Sequence, residues 1–447
     1  MEFKSINPTN NQLMGSFPII DTLELELVIE NSNIAFQKWR DTSVDQKKQL
    51  LKALATEILI YIEDCSRIIT DEMGKPLKES MAEMKKCADL CLYYADNFET
   101  YLQPKVLSDK AIIYYEPLGV IFGISPWNFP FWQVFRFAIP TLLAGNTVIV
   151  KHAPNTPQCA IQLVMLFKKA GFPKNVFQSV FIDISQVESF VSSKIVQGVS
   201  LTGSTAAGRS VAILAAKYLK KCVLELGGND AFVVTRNANI ERAVEKAVLA
   251  RCRNNGQSCV AAKRFIIDAV VYDFFKSKLV EALKSLKIGD PKLADSTNGP
   301  LARRDLYDNV LRQTAILEQK HFTKTFELED NTGLPNVIAP AIWEGGEHFD
   351  EEIFAPIFLL HKTTDIDQMI ELVNHSNYGL GCSIWSDNAI DAQQLSSRIV
   401  CGMIYINELV YSSPSLPFGG IKQSGIGKEL GEEGIKEFTT HKLIFTK

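Results

Sequence analysis

One cysteine of the 447-residue chain lies in a sequence context that suits a nucleophile. Cys259 ends the run Asn254-Asn255-Gly256-Gln257-Ser258-Cys259. A cysteine that follows a glycine-containing loop can present its thiol at the base of a cleft, although a single cysteine is more often a buried structural residue. Upstream, Glu225 ends an apolar stretch and precedes Gly227 and Gly228. The two glycines leave backbone space beside a carboxylate that is placed to act as a base. A strand-end salt bridge is the alternative for Glu225.

A glycine-containing loop gives Glu225 a second functional interpretation. The segment Gly203-Ser204-Thr205-Ala206-Ala207-Gly208 follows a predicted strand and opens a predicted helix. It approaches the dinucleotide-binding pattern G-x-G-x-x-G, in which an acidic residue some 20 positions downstream binds a ribose. Glu225 has that spacing, but Thr205 stands where the pattern has its middle glycine. The loop alone does not decide between a base and a ribose ligand.

The elements that must position these residues alternate between strand and helix. Asp21–Tyr94 has the spacing of helices, with Asp41 or Ser43 as N-cap of the helix Gln46–Tyr61. Strands are then predicted at Ala111–Tyr115, Gly119–Ile124, Thr147–Lys151, Val176–Phe181, Val199–Thr202 and Cys222–Glu225. Intervening helices predict parallel sheets, which bind ligands at the carboxyl ends of their strands. A second alternating set runs from Ile240 to Asn374, so two α/β domains are expected, with their boundary near Gly227-Gly228.

Composition and charge exclude several other classes of protein. Lys plus Arg is 47 and Asp plus Glu is 51, a net charge of −4, which gives no electrostatic footprint for nucleic acid or an anionic membrane. The most apolar stretch, Phe129–Val150, is interrupted by Arg136, Pro140 and Asn146 and therefore predicts core, not a membrane span. Nine cysteines without paired spacing predict a reducing compartment. We expect a cytoplasmic protein without a signal peptide, a metal site, a nucleic-acid partner or a membrane partner.

Six short motifs together identify a family. In chain order they are Pro126-Trp127-Asn128-Phe129-Pro130, Gly203-Ser204-Thr205, Glu225-Leu226-Gly227-Gly228, Gly256-Gln257-Ser258-Cys259, Glu352-Ile353-Phe354-Ala355-Pro356 and Pro417-Phe418-Gly419-Gly420. The chain resembles the aldehyde dehydrogenase superfamily from about Asn7 to its end. Ala355 replaces the glycine that is usual in the fifth motif.

The resemblance implies a catalytic mechanism that agrees with the local chemistry. Cys259 is the expected nucleophile, whose thiolate adds to an aldehyde carbon. The side-chain amide of Asn128 and the backbone N–H of Cys259 are the expected oxyanion hole. Glu225 is then the base that activates water to hydrolyse a thioester.

The resemblance also implies a nicotinamide dinucleotide, NAD or NADP, as cofactor. Lys151 is expected to hydrogen-bond the adenosine ribose, and Ser204 with the following helix N-terminus to receive the pyrophosphate. Glu352 is expected to hold the nicotinamide ribose, with Phe354 beside it. The remaining expected cofactor-binding residues are Ser125, Pro126, Trp127, Pro154, Gly203, Glu225, Leu226 and Gly227. Strictly NAD-dependent members often carry Glu at the position of Pro154. Proline does not repel a 2′-phosphate, so NADP is permitted.

Three polar residues bear on the substrate. Arg136 lies on a helix with Trp132 that is expected to line the substrate tunnel, Arg253 precedes Cys259, and Ser413 precedes Gly419. They resemble the residues that hold the distal carboxylate in succinate-semialdehyde dehydrogenases, and the stretch from Lys151 to Asn155 is similar to the compact bacterial branch. A salt bridge is the alternative for Arg136. Arg251 competes with Arg253 for the binding role, and one of the two is then a surface residue.

Other functions stay open at this point. Glutarate semialdehyde, malonate semialdehyde or a broad range of aliphatic aldehydes are alternative substrates, because tunnel length cannot be derived from sequence. A CoA-acylating enzyme is disfavoured by Glu225. A non-enzymatic scaffold is disfavoured because Cys259, Glu225 and Asn128 are all present.

The family's organisation implies three units and an oligomer. Residues 1–107 and 118–227 are expected to bind the cofactor, and residues 228–424 to carry the nucleophile. Residues 108–117 and 425–447 are expected to form an oligomerisation hairpin and tail. The apolar terminal segment Leu443-Ile444-Phe445 needs a pairing edge, which we expect in another subunit of a homodimer or homotetramer.

Overall fold

The computed structural model describes residues 2–447. Its amino-terminal half consists of β1 (Glu2–Ile6), β2 (Leu13–Pro18), α1 (Thr22–Trp39), α2 (Val44–Ile60), α3 (Ile62–Met73), α4 (Leu77–Tyr101), β3 (Lys105–Ser108), β4 (Ala111–Pro117), β5 (Val120–Ile124), α5 (Trp132–Leu143), β6 (Thr147–Lys151), α6 (Pro157–Lys169), β7 (Phe177–Val180), α7 (Val187–Ser192), β8 (Val196–Thr202), α8 (Thr205–Lys217) and β9 (Lys221–Glu225).

The carboxyl-terminal half continues the alternation. It consists of β10 (Ala231–Val234), α9 (Ile240–Cys252), β11 (Arg264–Asp268), α10 (Tyr272–Lys284), α11 (Arg304–Gln319), β12 (Phe322–Glu327), β13 (Ala341–Gly345), β14 (Ile357–Thr363), α12 (Ile366–Asn374), β15 (Gly381–Trp385), α13 (Ala389–Arg398), β16 (Met403–Ile406), β17 (Gly425–Ile426), α14 (Gly431–Lys436) and β18 (Thr439–Phe445).

The first large sheet has the order β17-β9-β8-β5-β6-β7. The strands from β9 to β7 are parallel, and β17 adds an antiparallel edge at Glu225. The chain order runs outward from β5 to β7 on one side and from β8 to β9 on the other. The strand order therefore reverses between β5 and β8, which is where open parallel sheets form a ligand crevice.

The second large sheet has the order β12-β13-β14-β11-β10-β15-β16 and is parallel except for β12. Its central strands β10 and β11 are fully buried, as expected for a parallel sheet that helices cover on both faces. β16 is a free edge within the chain. The mixed α/β class with two parallel sheets confirms the fold predicted from sequence.

A third sheet has three strands in the order β18-β4-β3. The terminal strand β18 pairs with β4 of its own chain, Leu443 opposite Ile113. The expectation that this segment must find its edge in another subunit was therefore wrong, because β4 offers an edge nearer in the same chain. Two short strands belong to a different unit from the one that the sequence predicted. Lys105–Ser108 was expected largely in the cofactor-binding unit but joins this third sheet. Gly425–Ile426 was expected in the oligomerisation tail but joins the first sheet.

A layer of long helices packs against the first sheet and carries one wall of the site. α4 is buried along one stripe, which includes Cys87 and Cys91, and α5 is buried over its whole length. Ser43, not Asp41, caps α2. No helix within residues 2–447 combines the length and the apolar character that a membrane crossing needs.

Candidate active site

Four predicted cofactor residues meet at the carboxyl edge of the first sheet. Ser125 follows β5, Lys151 ends β6, Gly203 follows β8 and Glu225 ends β9. These strands are neighbours in a parallel sheet, so their carboxyl ends lie side by side. Burial lowers the pKa of Lys151, and Asp183 nearby opposes that shift. A ligand that carries hydrogen-bond acceptors and binds at this edge would lie near both Lys151 and the start of α8.

The start of α8 is shaped for close approach to its neighbours. Ser204 is the N-cap, and its Oγ accepts the N–H of Ala207 at 3.2 Å. A Cβ at Gly208 lies 2.4 Å from the side chain of Leu226, so only glycine lets α8 pack this near to the residue after β9. Helix N-termini hold unpaired N–H groups that favour anions, which fits the pyrophosphate expected here.

Glu352 lies against the glycines that follow β9. Its carboxylate accepts the Gly228 N–H at 3.0 Å and pairs with Lys263 at 3.3 Å. A Cβ at Gly227 lies 2.4 Å from Glu352 Oε2, so the glycine keeps a space that any other residue fills. Trp127 and Phe354 meet edge to face with 6.1 Å between ring centroids. This carboxylate beside an open backbone fits a bound ribose.

Cys259 is positioned by a left-handed turn. Asn254, Asn255 and Gly256 have φ of 55°, 56° and 77°, after α9 ends. Asparagine and glycine tolerate this region best. A Cβ at Gly256 lies 2.4 Å from the backbone of Ala355, so the turn is also closely packed. Glu79 on α4 accepts the Asn254 N–H at 2.6 Å and holds the turn in place.

Asn128 is locked to the same turn. Its Nδ2 donates to the Gln257 carbonyl at 3.0 Å, and its own carbonyl accepts Asn254 Nδ2 at 2.7 Å. The start of α5 is fixed by Glu83, which accepts the N–H groups of Phe131 and Trp132 and pairs with buried Lys75. Asn128 is thus fixed to the turn that precedes Cys259, which fits an oxyanion hole made of the Asn128 amide and the Cys259 N–H.

Arg136 interacts with the two buried acidic residues of the site, Glu429 and Glu225. Its Nε is ion-paired with Glu429, both side chains are buried, and Nη2 donates to Thr202 Oγ1 at 3.4 Å. Its guanidinium lies 4.3 Å from the Phe418 ring centroid. This geometry favours the salt-bridge alternative left open by the sequence over a guanidinium that waits for a substrate carboxylate. Sequence reasoning did not find Glu429, because its partner is 293 residues away.

Glu225 is buried without a hydrogen-bond partner. It is 2% exposed, and neither carboxylate oxygen has a partner among residues 2–447. Burial raises its pKa well above the ordinary value, with Glu429 acting in the same direction and Arg136 opposing. A buried carboxyl group whose charge acts on the Cys259 thiol and whose pKa is raised has an increased affinity for a proton, which fits the role of a base.

Arg136 and Glu225 also act on the pKa of the Cys259 thiol. Burial raises its pKa to about 12, and Arg136 and Lys263 act against that shift. Lys263 donates to the Cys259 carbonyl at 2.6 Å. The two cations are therefore the groups that favour the nucleophilic thiolate.

A cavity of about 580 Å³ opens above Cys259. Its lining includes Arg136, Trp132, Arg253 and Ser413, all predicted to contact substrate. Arg251, the competitor of Arg253, is fully buried, and its guanidinium donates to the carbonyls of Ile353, Ala355 and Ile357. The structure thus separates the pair: Arg251 braces the loop after Glu352, and Arg253 faces the cavity. Residues 2–447 contain no cluster of three or more His, Cys, Asp or Glu side chains suited to a metal.

Comparisons with known proteins agree with this site. The model of the aldehyde dehydrogenase family matches residues 1–444. The chain is 38% identical to a succinate-semialdehyde dehydrogenase (NADP+) of Mycobacterium avium, covering 100% of this chain and 97% of the relative. It is 36% identical to one of Deinococcus radiodurans, with coverages of 99% and 94%. The crystal structure of succinic semialdehyde dehydrogenase from Streptococcus pyogenes with NADP+ has a TM-score of 0.96 at 33% identity and covers 99% of each chain.

The ion pair of Arg136 predicts a specific pattern of stability. Arg136→Met leaves Glu429 buried and unpaired, and we expect it to lower the free energy of unfolding by about 3–5 kcal/mol. The double variant Arg136→Met/Glu429→Met removes both charges and should recover most of that loss. Urea unfolding of the three proteins measures this. A double variant no more stable than Arg136→Met contradicts the pairing.

Proposed function

The chain belongs to the aldehyde dehydrogenase family, and we propose that it oxidises succinic semialdehyde to succinate with NADP+ or NAD+. One observation carries the choice of substrate: Arg253 lines the cavity above Cys259 and has no carboxylate of residues 2–447 within ion-pair distance. Arg253 is exposed, and its guanidinium can bind a carboxylate of the substrate in bidentate geometry. A short aldehyde with a distal carboxylate supplies both the reacting group and the counter-charge.

The first step uses Cys259 and Asn128. The Cys259 thiolate attacks the aldehyde carbon, and the carbonyl electron pair moves to oxygen as a thiohemiacetal forms. The amide of Asn128 and the backbone N–H of Cys259 are placed to donate to that oxyanion. Asn128 Nδ2 carries two N–H groups, so one donates to the Gln257 carbonyl and the second can donate to the oxyanion. Removing one oxyanion donor typically raises a barrier by about 2.7–4 kcal/mol.

The second step uses Glu225. Glu352 and Phe354 would hold the oxidised nicotinamide, which would supply the acceptor for the hydride of the substrate carbon. The resulting thioester stays on Cys259 until water attacks it. Glu225 accepts the proton of that water, and the Cys259 thiolate leaves as the carboxylate product forms. Burial raises the pKa of Glu225, which increases the affinity of its carboxylate for that proton, and the charge of Arg136 opposes this shift.

The dinucleotide is proposed to lie across the reversal in the first sheet. Lys151 binds the adenosine ribose, Ser204 and the start of α8 bind the pyrophosphate, and Glu352 binds the nicotinamide ribose. The curated relatives are named for NADP+. Pro154 presents no carboxylate to a 2′-phosphate, so this chain accepts NADP+ as well as NAD+.

Arg253 predicts how the substrate preference is encoded. Arg253→Met removes a charge-assisted hydrogen bond, so kcat/KM for succinic semialdehyde should fall about tenfold to a hundredfold more than kcat/KM for butanal. The control is Arg67→Met, which removes an exposed guanidinium on α3 paired only with Glu63. Initial rates of nicotinamide reduction measure both substrates. Equal losses on the two aldehydes contradict the proposed carboxylate contact.

The free sheet edges support an oligomer. β18 is an edge strand with exposed Leu443, Ile444 and Phe445, and β16 is an edge of the second large sheet. Exposed apolar edge strands pair with another chain. We propose that the third sheet, formed by residues 105–117 and 439–445, adds to the β16 edge of a second copy, giving a homodimer or a dimer of dimers. The cofactor domain comprises the remaining residues before Gly227-Gly228 together with β17, and the catalytic domain comprises the second large sheet and its helices.

Truncation at Thr440 tests this assembly. The full chain should have twice or four times the monomer mass of 49.9 kDa in light scattering. The shortened chain should shift toward the monomer, because the edge strand is gone. A full chain that elutes with the monomer mass refutes the proposal.

A further inference from the structure

We propose that Lys86 is a substrate-binding residue that holds the distal carboxylate of the semialdehyde together with Arg253. This inference rests on the proposed function and adds to it a residue that no motif of the sequence indicates. It assigns the anion-binding part of the cavity to α4 and to the segment before Cys259.

Two neighbours fix the position of Lys86, the hydroxyl group of Ser412 and the aromatic ring of Trp132. Its Nζ donates to Ser412 Oγ at 2.8 Å and lies 3.9 Å from the ring centroid of Trp132. Trp132 Nε1 donates to the same Ser412 Oγ at 3.0 Å. Lys86, Trp132 and Ser412 all line the cavity that contains Cys259. The ammonium is therefore held at the cavity wall and is not a mobile surface group.

The charges around the cavity leave Lys86 without a counter-ion. Among residues 2–447, no carboxylate lies within ion-pair distance of Lys86 or Arg253, whereas Arg136 is neutralised by Glu429. Two acidic lining residues are paired elsewhere, since Glu83 pairs with Lys75 and Glu408 pairs with Lys246. Glu79 accepts the Asn254 N–H, and the charge of Arg253 acts on its carboxyl without an ion pair, while Asp89 is exposed.

Two uncompensated cations on one cavity wall select an anion. Arg253 is exposed, whereas Lys86 is half-buried, and keeping the Lys86 charge away from water is costly unless an opposite charge or hydrogen bonds satisfy it. A carboxylate has two oxygens, so one ligand group can accept from the Lys86 ammonium and the Arg253 guanidinium at once. Ser412 and the Trp132 face cannot provide this negative charge, and a neutral aliphatic aldehyde cannot either.

The proton of Lys86 provides an independent readout. Burial lowers its pKa to about 7, and Arg253 and Arg136 act in the same direction. On its own helix, Cys87 and Glu83 oppose the shift; α5 presents Arg136, and the segment before the nucleophile presents Arg253. Ser412 faces it from the loop after β16 and does not titrate. A substrate carboxylate binds the protonated form, so binding weakens as pH rises through about 7.

The first experiment compares Lys86→Gln with Lys85→Gln, an exposed neighbour on the same helix. The ratio of kcat/KM for succinic semialdehyde to kcat/KM for butanal is measured for each purified full-length protein. We expect the ratio to fall about tenfold in Lys86→Gln, mainly through KM, and to stay at the wild-type value in Lys85→Gln. Lys86→Arg, which keeps the charge, should recover at least half of the logarithmic loss.

The second experiment follows the same ratio from about pH 6 to about pH 9. Titration of Cys259 and Glu225 affects both substrates and cancels in the ratio. The wild-type ratio should fall as pH rises through about 7, and the Lys86→Arg ratio should be flat because arginine stays protonated.

The outcomes separate the two proposals. A wild-type protein without preference for succinic semialdehyde overturns the proposed function and this inference together. A wild-type preference that Lys86→Gln leaves unchanged, or that falls no further than in Lys85→Gln, overturns the role of Lys86 alone. A pH-independent wild-type ratio overturns it as well. Loss of activity toward both aldehydes in equal proportion, with normal Lys86→Arg, assigns Lys86 to packing on Trp132 and also overturns it.

Discussion

The buried ion pair between Arg136 and Glu429 is the constraint on which the site depends. A guanidinium cannot stay this far from water without compensation. Here it pairs with Glu429, and its charge also acts on Glu225, which has no hydrogen-bond partner among residues 2–447. Its positive charge opposes the raised pKa of Glu225 and of Cys259 alike. One cation thus links the group that must become a nucleophile to the group that must accept a proton.

The surrounding fold explains how these groups come to meet. Arg136 lies on α5, Glu225 at the end of β9, and Glu429 just after β17, which pairs with β9. Cys259 lies between α9 and β11 of the second sheet. The left-handed turn before it is held by Glu79 of α4, which accepts the Asn254 N–H. The reacting residues therefore come from two sheets and a helical layer, and each is held by a backbone hydrogen bond or a close packing contact.

Much of this arrangement could be predicted, for identifiable reasons. The parallel strands from β5 to β9 were recognisable because each is a short buried apolar run separated by a helix. Ser204 was expected to bind the cofactor only through the family resemblance, and in the structure it is the N-cap of α8. The pairing of Arg136 with Glu429 could not be derived, because charges so far apart in sequence carry no local pattern. The sequence could not distinguish the roles of Arg253 and Arg251. In the structure Arg253 lines the cavity, and Arg251 donates to three carbonyl groups. Lys86 escaped notice because a lysine on a long charged helix is usually a solvated surface residue. The edge for β18 was missed because strand pairing is a property of topology.

The central claim is that oxidation proceeds through a thioester on Cys259, and that Glu225 activates the water that hydrolyses this thioester. The most direct test is intact mass spectrometry of Glu225→Gln mixed with succinic semialdehyde and NADP+, with nicotinamide reduction followed in parallel. A buried amide cannot accept the proton of water, so we expect about one equivalent of NADPH per active site, then slow turnover. Each chain should gain the mass of one succinyl group, located on the Cys259 peptide. Continued turnover at the wild-type rate without an adduct, or an adduct on another cysteine, contradicts the account.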